Sequence, residues 1–137
     1  MNGESISDEV VYALVEAALK ARGKAYAPYS QFAVGAALLS EDGVVTVGCN
    51  VENASYPLGI CAERAAIAAA IVRGYRSFQA IAVAGAGDRP LSPCGGCRQV
   101  LSEFGELWVI GAAAEGTGVR RWRLSQLLPE RFGEERL

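Results

Sequence analysis

The spacing of apolar positions changes several times along the chain, and each change marks an element. Val10, Leu14, Ala17 and Ala21 recur at helical spacing behind the start signal Ser7-Asp8-Glu9, which predicts a first helix ending at Gly23. Phe32 to Ser40 and Val44 to Cys49 are apolar, strand-forming runs, and Glu41-Asp42-Gly43 between them suits a hairpin turn. Asn50 to Ile60, which contains Pro57 and Gly59, reads as a loop. It leads into an Ala-rich stretch, Cys61 to Arg73, that Gly74 closes as a second helix. Phe78 to Ala84 is a continuous apolar run of buried-strand length, followed by turn-forming residues from Gly85 to Pro93. A short helix over Cys94 to Phe104 comes next. Glu106 to Ala113 and Val119 to Leu124 are two further strands around Glu115-Gly116-Thr117-Gly118, and Ser125 is placed to cap a last helical turn before Pro129.

The resulting order is α-β-β-α-β-α-β-β. Helices between successive strands require parallel crossovers in part of the sheet, so the pattern predicts an α/β fold: three layers, α-β-α, around a mixed five-stranded sheet. A length of 137 residues matches one domain spanning residues 1–137. Hydrophobic residues make up 51% and charged residues 20%, a balance that excludes disordered and collagen-like chains. The longest apolar run, Ala65 to Val72, falls short of the roughly 20 residues a membrane span needs. The N-terminal Met-Asn-Gly-Glu-Ser has no basic-then-apolar signal, so a cytoplasmic location without a membrane partner is expected.

A formal charge of -2 offers a polyanion no general attraction, so no nucleic-acid partner is expected. Arg120, Arg121 and Arg123 form the one basic cluster, and alternation along a strand keeps the three from sharing a face. In a reducing compartment, Cys49, Cys61, Cys94 and Cys97 read as metal or redox residues before they read as disulfides. Cys61-Ala62-Glu63 opens one helix and Pro93-Cys94-Gly95-Gly96-Cys97 opens the next, which supplies three soft ligands and one carboxylate. Three thiolates with a fourth position left for water match a catalytic zinc site, whereas four thiolates make a structural one. Cys49 could close such a four-cysteine site, but it ends a strand pattern and reads as a small packed residue.

Helix N-termini lower cysteine pKa values and favour the thiolates. Three thiolates then overcharge the metal, and the chain contains no histidine to serve as a neutral ligand. Arg64 and Arg98, each directly after a ligand motif, are therefore candidates to donate hydrogen bonds to sulfur and draw charge away, a role expected of at least one of them. Glu63 would ordinarily be a solvated helix carboxylate. Beside three candidate ligands, it is instead placed to accept a proton from zinc-activated water and deliver it to substrate.

These residues carry a resemblance. The stretches from Asn50 through Arg64 and from Ser92 through Gln99 resemble the homotetrameric cytidine deaminases, and so do Pro28-Tyr29-Ser30, Phe32, Val34 to Ala37, Leu127 to Pro129 and Phe132-Gly133. The class signature has a histidine where this chain has Cys61, which puts it in the three-cysteine branch. The resemblance implies hydrolysis of cytidine and 2′-deoxycytidine at C4, giving uracil nucleosides and ammonia for pyrimidine salvage. It implies one zinc per subunit on Cys61, Cys94 and Cys97, with Glu63 moving one proton to N3 and another to the departing amine. Phe32 would stack on the base, the Ala62 amide would meet the base carbonyl, and Asn50 and Glu52 would hold the ribose 3′-hydroxyl. Ala54, Tyr56 and Phe132 would reach the pocket of a neighbouring subunit in a homotetramer.

Three rival readings differ in class: a structural four-cysteine zinc module, a polynucleotide-editing deaminase, and a deaminase of a nucleoside antibiotic of the blasticidin type. Metal-dependent turnover separates the first. The acidic pI near 5.2 argues against the second. The stretch Asn53-Ala54-Ser55-Tyr56-Pro57-Leu58-Gly59, which looks like the cytidine branch, argues against the third.

Overall fold

A computed structural model describes residues 5–137. Helix α1 (Asp8–Arg22) begins where the Ser7 hydroxyl accepts the Val10 amide at 3.2 Å, with Asp8 and Glu9 complementing the helix dipole. Strands β1 (Gly35–Ser40) and β2 (Val45–Cys49) form the expected hairpin, and Gly43 takes the left-handed φ of 88° that the turn requires. Helix α2 (Ala62–Val72), strand β3 (Phe78–Gly85), helix α3 (Gly95–Ser102), and strands β4 (Trp108–Ala113) and β5 (Val119–Arg123) follow, and the short helix α4 (Leu124–Leu127) comes last. The sheet order is β2-β1-β3-β4-β5, with β3 and β4 the parallel pair and the remaining neighbours antiparallel. This is the mixed five-stranded sheet and three-layer α/β arrangement that the element order predicted.

Strand alternation divides the core between two faces. Ala36, Leu38, Ile81, Val83 and Val109 pack toward α2, α3 and Leu124. Ala37, Leu39, Ala80, Ala82 and Ile110 pack toward α1. Close approach of α2 to the hairpin depends on Gly48, because a Cβ there would stand 2.5 Å from the Ala66 nitrogen. Among the described residues, no helix is long and apolar enough to cross a membrane.

Several boundaries differ from expectation for physical reasons. Phe32 to Val34 lies outside β1, because the Asn50 carboxamide takes the place of a strand neighbour: its Oδ1 accepts the Val34 amide and its Nδ2 donates to the Phe32 carbonyl. Cys61 and Cys94 cap their helices and do not join them. Ser125 does not cap α4. Its amide donates to Glu106 Oε1, while Gln126 Oε1 accepts the Arg123 amide and performs the capping. The loop after β2 contains a 3₁₀ turn at Tyr56–Leu58, where Pro57 supplies the fixed φ of an early helical position.

The β5 arginines are each engaged within the fold. Arg121 donates to Ile6 O and pairs with Asp8, Arg120 lies 4.8 Å over Trp122, and Arg123 lies 4.8 Å over Trp108 and 3.7 Å from Glu106.

Candidate active site

The N-termini of α2 and α3 converge. Cys61 and Cys94 hold extended backbone as the cap residues of α2 and α3, and Cys97 occupies the first turn of α3. Their sulfur atoms all lie within 4.8 Å of one another. Thiolates about 2.3 Å from a tetrahedral zinc lie roughly 3.8 Å apart, so this donor set fits that ion after small rotations. Cys49 lies outside the cluster, paired with Gly35 across the hairpin.

The electrostatics also fit a cation. The Cys97 backbone amide donates to the Cys94 thiol and lowers its pKa, as expected at a helix N-terminus. Burial pushes the Cys97 thiol far up, reinforced by the nearby Glu63 and Cys61 charges. Burial thus opposes the thiolate at Cys97, and a dication held by the three sulfurs would supply the positive charge its anion needs.

Glu63, in the first turn of α2, is 4% exposed, and burial raises its pKa above the ordinary carboxylate range. Its carboxylate also interacts with the Cys97 side chain. The Arg64 Nη2 stands 3.7 Å from Cys61 Sγ and donates to it, and this bond raises the guanidinium pKa. Among the described residues, Arg64 Nε is a buried side-chain donor left without a partner.

Of the two candidate arginines, Arg98 takes other partners. Its Nε donates to Pro93 O at 2.7 Å, its Nη1 to Leu127 O at 2.9 Å and its Nη2 to Ser92 Oγ at 3.3 Å. The guanidinium is thus spent on three oxygens, and the thiol contact belongs to Arg64.

A cavity of about 320 Å³ opens above this cluster. Cys61, Ala62, Glu63 and Cys94, at the starts of α2 and α3, form its helix side, and Phe32, Asn50 and Glu52, on loops, form its rim. Phe32 lies against Gly85, where an added Cβ would stand 3.1 Å from its ring. Asn50 and Glu52 hold the rim together. Glu52 Oε1 accepts the Tyr29 and Ser30 amides at 2.9 and 3.1 Å, Oε2 accepts the Ser30 hydroxyl, and Ser30 Oγ in turn accepts the Phe32 amide. These bonds keep the Glu52 pKa low, the Ser30 hydroxyl contributing most, and they hold Gln31 at a left-handed φ of 61°.

Ala54, Tyr56 and Phe132 do not line this cavity. Ala54 and Tyr56 are exposed on the loop after β2, and Phe132 is 59% exposed with its carbonyl accepting Gln99 Nε2. Ser30, Val34, Leu91 and Ser92 complete the lining. Ser30, Val34 and Ser92 stand in the stretches that carry the resemblance but were given no role, and Leu91 had no signal.

The model of the cytidine and deoxycytidylate deaminase zinc-binding region matches residues 8–112. The chain belongs to this family of zinc-binding deaminases. It is 46% identical over 126 residues to the cytidine deaminase of Sporosarcina psychrophila, covering 90% of this chain and 92% of that protein. It is 48% identical over 118 residues to the cytidine deaminase of Mycobacterium tuberculosis strain H37Rv, covering 85% and 84% respectively. The 1.6 Å crystal structure of cytidine deaminase from Burkholderia pseudomallei superposes with a TM-score of 0.85 at 51% identity, covering 93% of this chain and 100% of that one.

Proposed function

We propose that this single-domain chain hydrolyses cytidine and 2′-deoxycytidine to uridine and 2′-deoxyuridine with release of ammonia, serving pyrimidine salvage in the cytoplasm. The observation that carries the reading is the buried, high-pKa Glu63 carboxylate beside three converging thiols at the base of an open cavity. Cys61, Cys94 and Cys97 would hold one zinc per subunit, which would supply Lewis-acid activation of a water. Glu63 takes a proton from the attacking water, delivers it to N3 of the base, and carries a second to the departing amine. Its burial suits this work, because it raises the Glu63 pKa above the ordinary carboxylate range and makes the carboxylate a stronger base. Arg64 relieves the thiolate charge through Cys61.

At the rim, Phe32 stacks on the base and the Ala62 amide, at the open N-terminus of α2, meets the base carbonyl. Asn50 and Glu52 offer the ribose the hydrogen-bonding capacity their loop contacts leave over. A Glu52 carboxylate at the pocket also disfavours a phosphorylated ligand, which supports a free nucleoside over a nucleotide or a polynucleotide.

A homotetramer accounts for the apolar surface of one protomer. The outward stripe Ala65, Ala68, Ala69 and Val72 of α2 is as apolar as the inward one, and a helix apolar all round is normally buried. Tyr56 and Leu58, on the loop after β2, are also exposed, at 74% and 71%. In such an assembly Ala54, Tyr56 and Phe132 contribute to a neighbour's pocket. Zinc analysis combined with ultraviolet monitoring of cytidine loss tests the reading. Stoichiometric zinc without turnover would leave a structural zinc module in its place, and sedimentation as an active monomer would remove the shared pockets.

A further inference from the structure

We infer that Arg98 is a positioning residue that fixes the Ser92-Pro93-Cys94 arm of the site against the C-terminal turn. This rests on the zinc-deaminase reading of the cavity. One guanidinium bridges three acceptors from two distant segments: Ser92 Oγ and Pro93 O directly ahead of Cys94, and Leu127 O at the end of α4. A rigid fork with donors on three nitrogens can satisfy all three acceptors at once, which an ammonium on a flexible stem cannot.

The arm needs such a fastening. Leu91 to Pro93 belongs to no helix or strand, and on its other side a 3.3 Å hydrogen bond runs from the Leu91 amide to Ala112 O. It also lies so close to β4 that a Cβ on Gly111 would stand 2.3 Å from Leu91 O. Leu91, Ser92 and Cys94 all line the cavity, so play in the arm would move one metal ligand and one cavity wall together. Cys97 is insulated from that play, because it is buried within α3 itself. Arg98 thus acts through Ser92 and Cys94, one turn of helix from the chemistry.

A matched control exists at the other end of α3. Arg131 Nη1 donates to Ser102 O at 2.8 Å, also tying the C-terminal segment to α3, but it touches nothing that lines the cavity.

The experiment compares Arg98→Met with Arg131→Met on the zinc-loaded full chain. It measures zinc release to a chromogenic chelator, thermal midpoint, and KM and kcat for cytidine. Arg98→Met should release zinc about tenfold or more faster, the size of effect expected when a metal site's outer support is lost. Its KM should rise about tenfold with kcat held within about threefold, because the displaced wall weakens binding before it weakens chemistry. Arg131→Met should lower the thermal midpoint comparably and leave zinc release at the parent value.

Equal zinc release and equal KM in the two variants would overturn the inference, since Arg98 would then be an ordinary strap. If Arg98→Met does not fold, Arg98→Lys and Ser92→Ala carry the test. Each keeps part of the bridge and should show intermediate zinc release, and parent-like release in both would overturn it equally. A parent enzyme that holds zinc but turns over no cytidine would instead refute the deaminase reading, while the zinc-release comparison would still judge Arg98.

Discussion

On the helix side of the site, Cys61, Glu63, Cys94 and Cys97 are fixed at the starts of two helices. On the rim, Phe32, Asn50 and Glu52 lie on loops, fixed by side-chain hydrogen bonds to backbone. The helix side is set by elements that bury apolar faces. The rim residues hold their own loops, and in the proposed function Asn50 and Glu52 would hold the ligand as well, so substitutions there should mix positioning with binding. Substitutions on the helix side should separate cleanly into ligand loss and proton-transfer loss.

The largest expected effect is at Cys97. Cys97→Ala should lose zinc and all measurable turnover, and should lower the thermal midpoint because the ligand joins two helix ends. Cys49→Ser, as the control, should keep one zinc per subunit by metal analysis. Loss of zinc from the control would restore the four-cysteine reading.

Glu63→Gln comes next. The amide is nearly isosteric and is no ligand, so zinc content and fold should match the parent. Turnover should nevertheless fall at or beyond the upper end of the roughly 10²- to 10⁴-fold range of positioned proton carriers. A fully zinc-loaded variant within about tenfold of parent would place the proton carrier elsewhere.

Arg64→Gln should keep zinc and lower kcat about tenfold, as expected when a partner of a metal ligand is removed. An unchanged rate would mean that the Cys61 contact is only packing.

The smallest effect belongs to the rim and appears as a pH dependence. The folded-state pKa of Glu52 lies below its unfolded value, so its three hydrogen bonds favour the ordered turn above the ordinary carboxylate range of about 4.3. That contribution is lost as pH falls through the lowered folded value. The amide resonances of Tyr29 and Ser30 should therefore titrate together on the acid side of that range, and Glu52→Gln should abolish the transition. Titration at or above an ordinary carboxylate pKa would show that Glu52 is free of the turn in solution.

Much of the molecule was legible in the chain because it is locally encoded. Helical and strand periodicities report which faces are buried, and α1 to β5 followed them to within a few residues. The three thiols and Glu63 stood out because a ligand at a helix N-terminus leaves a short contiguous motif, with electrostatics supplied by its own backbone. The roles of Phe32, Asn50 and Glu52 came from family resemblance. Taken alone, Phe32 looked like a core strand residue, since nothing local announces that Asn50, many positions away, replaces its strand partner.

Only the tertiary structure separated the two arginines. Arg64 and Arg98 occupy equivalent places beside their motifs, yet one reaches a sulfur and the other three oxygens. A long flexible cation takes the acceptors that the fold brings within its reach. The Leu127 carbonyl is 29 positions from Arg98, and only the packing of α4 against α3 carries it there. Cys49 was settled in the same way: its thiol stays out of the cluster because the hairpin register pairs it with Gly35, a pairing fixed by the buried face of the sheet and invisible in the count of cysteines.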